Sequence, residues 1–316
     1  MIFNMQTEKL TANINTKKKE KLKENFLWYT MILVPLIGFF VFTLYPLVWS
    51  VVKAWFFYDG TMSSQRYIGL ENFIKVFTTD KTYWNSWIVT LKFAIFKIPV
   101  ELTLAMCLAL MLNQKIKMSG FFRSVFYMPN IISVAVIGVI FTNMFGYFGY
   151  INAVLTKFGL ISAEIDWYAS PGTAMTTLVI ASIWNTFGVN VMYFLAALQN
   201  VPQDVYEAAY IDGAKKPTIF FRITVPLMGP VLQTVLLLSI NGTLHINDLV
   251  LVMTNGAPGG KTYSVSSYVV SNFVPGFVSN TVNIGYGCAM AIVTSVIMMV
   301  IAFIYNKSTS NLSKNF

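Results

Sequence analysis

The sequence predicts an all-α membrane protein with six transmembrane helices, and three observations lead there. Of 316 residues, 56% are hydrophobic and only 11% are charged; a soluble globular domain carries about 25% charged residues. The charges cluster, leaving runs at 25–52, 124–156, 167–203 and 223–247 without Asp, Glu, Lys or Arg. Such runs exceed the roughly 18 residues that mark a membrane span. Segments of about 10 residues with alternating polarity, which a membrane β-barrel requires, do not occur. Together these exclude a soluble enzyme, a nucleic-acid-binding domain, a disordered chain and a disulfide scaffold. The net charge of +9 needs no nucleic acid to explain it, because much of it flanks the apolar runs.

The chain is expected to begin with a basic cytoplasmic tail, 1–26, holding Lys17, Lys18, Lys19, Lys21 and Lys23. It looks like the charged start of a signal peptide. The apolar run behind it is longer than the roughly 7–15 residues of a signal core, and no small-residue cleavage site follows. It is therefore read as an uncleaved first span. The six spans are placed at 27–51, 86–112, 121–145, 174–198, 223–246 and 284–305. Each exceeds the roughly 20 residues needed to cross a hydrocarbon core, and a helix satisfies its own backbone groups there. They form one six-helix transmembrane domain, 27–305, followed by a polar tail, 306–316.

Orientation follows from Lys and Arg. With the N-terminus inside, fourteen of them fall in inner segments and six in outer ones, as the positive-inside rule requires. Both termini and the loop near 199–222 are then cytoplasmic. Segments 52–85, 146–173 and 247–283 are external. Trp49, Trp55, Trp84, Trp87 and Trp167 fall near span ends, where an aromatic belt belongs.

Three features point to no site. The stretch Gly256 to Thr262 resembles a phosphate-binding loop, but Asn255 stands where the first Gly is required. It is read as a turn, and no nucleotide or cofactor is expected on this chain. Cys107 and Cys288 lie in apolar runs and read as reduced packing residues. The single His245 has no Cys or second His nearby, so no metal site is expected.

The loop near 199–222 is the most informative segment. Pro202 suits the first turn of a helix, and Asp204 and Glu207 suit its positive end. Gly213 is a natural stop. Val205, Ala208, Ala209 and Asp212 share one face by helical spacing, and two alanines there permit close approach of another surface. Pro217 can start a second short helix leading to Pro226 and Pro230. On physics alone, a helix lying on the membrane without a partner explains the loop as well.

The residues Glu207-Ala208-Ala209 and Asp212-Gly213-Ala214, followed by Phe220, Ile223, Pro226 and Pro230, resemble the "EAA" loop of the membrane subunits of binding-protein-dependent ABC importers. The match is full at the signature positions, and the resemblance runs from about Trp28 to Tyr305. Three looser motifs, at 69–73, 127–129 and 149–152, resemble the carbohydrate branch, the relatives of the maltose transporter membrane subunits. The resemblance implies the type I importer architecture and a non-catalytic subunit. It implies a second homologous permease subunit, two cytoplasmic ATPase subunits that bind ATP-Mg, and an extracellular solute-binding protein that delivers sugar. It assigns ATPase coupling to Glu207, Ala208, Ala209, Asp212 and Gly213.

Polar residues inside spans are functional candidates because they are costly there. Lys97 and Glu101 are four apart and can pair; an internal ion pair is favoured over a wall of the substrate path. Asn241, His245 and Asp248 are spaced to share one helical face, with Gly242 able to bend the helix. Trp184, Asn185 and Asn190 add an aromatic ring and two amides. Sugars need such groups, for hydroxyl hydrogen bonds and ring stacking. Helix–helix glue explains the amides too. The rival readings are an ion-coupled secondary transporter, for which Lys97–Glu101 is the one hint, and a membrane enzyme, for which no nucleophile–base set exists.

Overall fold

The computed structural model describes residues 25–114, 116–273 and 282–310. The tail 1–24, Lys115, residues 274–281 of the expected external segment and 311–316 of the polar tail lie outside them. Among the described residues, four helices are long and apolar enough to cross a membrane: α1 (Asn25–Lys53), α3 (Lys81–Leu112), α7 (Pro171–Gln199) and α13 (Ile284–Ser310). Two bent pairs bring the possible spans to six. One pair is α4 (Ser119–Ile131) with α5 (Val134–Met144), bent by 94°. The other is α9 (Lys216–Leu227) with α10 (Gly229–Leu244), bent by 72°.

These breaks correct the sequence reading, which has both spans continuous. The first lies just past Pro129, where Ile132 adopts extended backbone and Ser133 begins the next helix. The second lies at Met228, between Pro226 and Pro230, not at Gly242, which stays helical. Prolines in helix interiors remove a hydrogen bond and clash with the preceding turn.

Between the spans run shorter elements. A hairpin of β1 (Phe56–Phe57) and β2 (Arg66–Tyr67) follows α1, and α2 (Glu71–Thr78) follows it. In the hairpin the Ser64 hydroxyl, then Thr61, hold the Asp59 carboxyl below the ordinary carboxylate range. α6 (Tyr150–Lys157) precedes α7, and α8 (Gln203–Ile211) follows it. Within the described residues 247–273, α11 (Asp248–Met253) and α12 (Val265–Phe273) make packed structure and not a loose loop. Gly256 to Thr262 is a turn between them, closed by Thr262 Oγ1 donating to the Ala257 carbonyl at 2.7 Å. No phosphate-loop geometry, strand before and helix directly after, is present there.

α3 is the central post. It packs on α7 and α10 through Ala105, Ala109, Val191, Phe194 and Val235. Nearer its middle it meets α5, α7 and α11 through Phe93, Ile137, Ala181 and Val250. Near its start it meets α12 and α13 through Tyr83, Trp87, Val265 and Met290. Trp87 is therefore inside the bundle rather than in a belt. Asp80 caps α3 by accepting from the Tyr83 N–H, and its carboxylate also accepts from the Tyr268 and Tyr286 hydroxyls. One carboxylate thus ties three elements together.

The helices approach closely where a side chain is missing. A Cβ on Gly188 in α7 would stand 1.9 Å from the Phe126 carbonyl oxygen of α4. α1, in contrast, has no buried residue in its most apolar window. It touches the bundle near its end, where Trp49 and Ala54 meet Cys288 and Ala289. Cys107 is exposed on the outer surface of α3 and Cys288 is buried; both are free thiols.

The looser family motifs have structural work. Asn72 donates to the Ala54 and Phe56 carbonyls at 2.9 and 3.0 Å, pinning α2 to the hairpin. Asn152 donates to the Tyr147 and Ile165 carbonyls and accepts from Trp167 Nε1 at 3.0 Å, closing the loop around α6.

Candidate functional sites: a polar cavity and a loop helix

A cavity of about 370 Å³ opens between α3, α4, α5, α7, α10 and α11. Its size lies within the roughly 300–1,000 Å³ of ligand sites. Asn185 and Asn190 of α7, His245 at the end of α10 and Asp248 at the start of α11 all line it. Their sequence distance closes because α10 stops at Leu244 and the chain re-enters a helix at once. Asn247 caps that helix by accepting from the Asp248 N–H at 2.7 Å.

The predicted common face of Asn241, His245 and Asp248 therefore does not form. Its helical spacing assumed one continuous helix, which ends between them. Asn241 lines a separate crevice against α13, with Tyr305 and Asn306. Trp184 is also outside the cavity lining; its ring packs on Phe141 with centroids 5.6 Å apart. Asn185, Asn190, His245 and Asp248 thus converge on the cavity, while Asn241 and Trp184 face elsewhere.

The sequence reading leaves several cavity groups out. Asn130, Ser182, Thr186, Tyr193, Ser239 and Asn247 line it too. Ser182, Thr186 and Asn190 recur every four residues, a polar stripe on one face of α7 that the sequence does display. Lys97 and Glu101 also line the cavity. They pair at 3.2 Å, so the internal ion pair forms and stands in the cavity wall as well.

Amide orientation is set by the bonds around it. Asn185 Nδ2 donates at 3.0 Å to the Pro129 carbonyl in the last turn of α4, a carbonyl that also accepts the Ile132 N–H at 3.3 Å. Asn190 Nδ2 donates to Glu101 Oε1 at 2.8 Å. His245 Nδ1 meets the Asn241 carbonyl at 2.9 Å; a carbonyl only accepts, so Nδ1 carries the proton. The cavity can hold a neutral, hydroxyl-rich molecule by hydrogen bonds without any covalent chemistry.

The second site is α8. It starts after Pro202 and ends in a left-handed turn: Gly213 has φ +70°. The Gly213 and Ala214 N–H groups close that turn on the Tyr210 and Ala209 carbonyls, at 3.1 and 3.0 Å, a Schellman-type stop. Ala209 is buried, and Val205 and Tyr206 are half-buried against the chain's own α9 side. Tyr206 and Thr224 share a hydroxyl hydrogen bond of 3.2 Å. Ala208, Glu207 and Asp212 are exposed, beside Ile211, which is 87% exposed. So the predicted face divides: Ala209 is used internally, and Ala208 with Glu207, Ile211 and Asp212 is presented outward.

Residues 101–314 match the family described as binding-protein-dependent transport system inner membrane component. This chain belongs to that family: it is a multi-pass inner membrane component of a binding-protein-dependent transport system. A probable ABC transporter permease protein of Bacillus subtilis (strain 168) is 34% identical over 95% of this chain and 95% of its own length. A trehalose/maltose transport system permease protein of Thermococcus litoralis is 32% identical, over 93% and 97%. In fold, the chain matches one chain of the crystal structure of a bacterial alginate ABC transporter in complex with alginate pentasaccharide-bound periplasmic protein. The TM-score is 0.79 at 20% identity, covering 93% of this chain and 98% of that one.

Proposed function

We propose that this chain is the membrane subunit of an ATP-driven importer that carries a sugar, in particular an oligosaccharide, across the cytoplasmic membrane by alternating access. The observation that carries the reading is the polar cavity inside a bundle of apolar helices, lined by amides, hydroxyls, an imidazole, an ion pair and a second carboxylate. Relatives are named as permease proteins of lactose and arabinooligosaccharide transport systems, as well as trehalose/maltose. The cavity takes hydroxyls by hydrogen bonds, with Asn185, Asn190, His245 and Asp248 among its partners.

Alternating access needs a motor. In this reading α8 docks on a separate ATPase subunit through Glu207, Ala208, Asp212 and the exposed Ile211, with Ala209 and Gly213 shaping the helix. Two such ATPase subunits hold ATP-Mg. A second homologous permease subunit completes the path, and an extracellular solute-binding protein supplies the sugar. Both termini are cytoplasmic, as the Lys and Arg distribution supports.

The test is biochemical. Purified from its host, the chain is expected to bring an ATPase with it. In liposomes, ATP hydrolysis is expected to rise when a sugar-loaded binding protein is added. Absence of any co-purifying ATPase, with uptake driven instead by an ion gradient, overturns the reading.

A further inference from the structure

The Lys97–Glu101 pair does more than satisfy itself. Lys97 is 4% exposed and Glu101 1%, yet both line the cavity. Glu101 Oε2 faces Lys97 Nζ at 3.2 Å. Its other oxygen, Oε1, accepts from Thr186 Oγ1 at 2.6 Å and from Asn190 Nδ2 at 2.8 Å. Lys97 Nζ also donates to Thr243 Oγ1 of α10 at 3.3 Å. One buried carboxylate therefore fixes two of the polar groups that α7 carries into the cavity wall, Thr186 and Asn190.

The fixed orientation has chemical content. With Nδ2 on Glu101, Asn190 keeps Oδ1 as its free group. Asn185, with Nδ2 on the Pro129 carbonyl, does the same. His245, with its proton on Nδ1, leaves Nε2 as an acceptor in the neutral ring. The carboxyl oxygens of Asp248 are acceptors. These four groups offer acceptors, which pair with hydroxyl donors.

We infer that Glu101, held in place by Lys97, is a positioning residue for substrate selection: it aims Asn190 and Thr186 so that this wall accepts from the hydroxyls of an uncharged saccharide. The inference rests on the sugar-path reading above. A purely structural pair behaves differently on replacement. Swapping a buried ion pair for apolar groups of similar volume is often neutral or stabilising, so such a swap tests positioning without unfolding the chain.

The experiment uses the assembled importer in cells. The probe is a pool of neutral malto-, arabino-, xylo- and galacto-oligosaccharides of two to five sugar units, with uptake followed by mass spectrometry. The Lys97→Met/Glu101→Leu variant is expected to raise the half-saturation concentration about ten-fold or more, the size of one lost charge-assisted hydrogen bond. Its maximal rate and thermal stability are expected to hold. Lys97→Met/Glu101→Gln restores an acceptor and is expected to return half-saturation most of the way. Wild-type half-saturation in the apolar variant overturns the inference. If that variant does not accumulate, Thr186→Val/Asn190→Leu, which keeps the ion pair, must show the same rise, and its failure to do so overturns it equally. Asn185→Leu and His245→Leu serve as separate arms. If they also leave uptake unchanged, or the wild type imports none of the pool, the sugar-path reading itself fails.

Discussion

Single residues decide how closely the helices of this bundle approach. Gly188 is the clearest case, because any Cβ there meets backbone that cannot swing aside. Gly188→Ala is expected to lower stability by about 1–3 kcal/mol, the range for overpacking, read as a lower unfolding temperature in detergent. Gly172→Ala, in the same helix with open space around its Cβ position, is the control and should leave that temperature unchanged. The residue scale is also where the sequence is least legible. A glycine inside an apolar helix looks the same whether it faces lipid or a carbonyl. Trp184 and Asn241 carry the right chemistry for a sugar path, but composition does not say which way a helix is turned.

Elements are legible where their signals are local. Apolar length locates α1, α3, α7 and α13, and Pro202, Gly213 and Pro217 bound the loop helices. The breaks in the other two spans escape hydropathy, which runs unbroken through a bent helix pair; Pro129, Pro226 and Pro230 are their signals. The ending of α10 at Leu244 explains why spacing misplaces Asn241 and why Asp248 still reaches the cavity by a different route. For α8 the expected outcomes are sharp. Gly213→Asp and Glu207→Lys should each abolish ATP-driven uptake while the chain still accumulates in the membrane, measured by uptake and by immunoblot of membranes. Gly213→Ala is expected to be milder, since a left-handed residue with a Cβ costs about 1–2 kcal/mol and nothing crowds the site. Normal coupling in both severe variants would remove α8 from the motor interface.

At the scale of the whole molecule, the fold class is read from charge scarcity and the family from one loop motif. The cavity is readable only in part. It assembles from six elements, and single-sequence spacing is blind to contacts between them. Orientation in the bilayer is a whole-molecule property, and it is testable with one thiol. In a Cys107→Ser/Cys288→Ser background, Tyr210→Cys is expected to react with a membrane-impermeant reagent only in inside-out vesicles. Removing Cys107 first matters, because that thiol is exposed. Labelling of the introduced thiol in intact cells would reverse the proposed topology.

The elbow at Met228 joins an arm that begins beside α8 to an arm that lines the cavity. Since the arms meet at 72°, thrust directed along the first is delivered to the second largely as sideways sweep. Met228 itself is buried against the α3–α7 core, which gives that crank a seated pivot. In the importer reading proposed above, such an elbow turns a small shove at the rim into a change in the width of the interior.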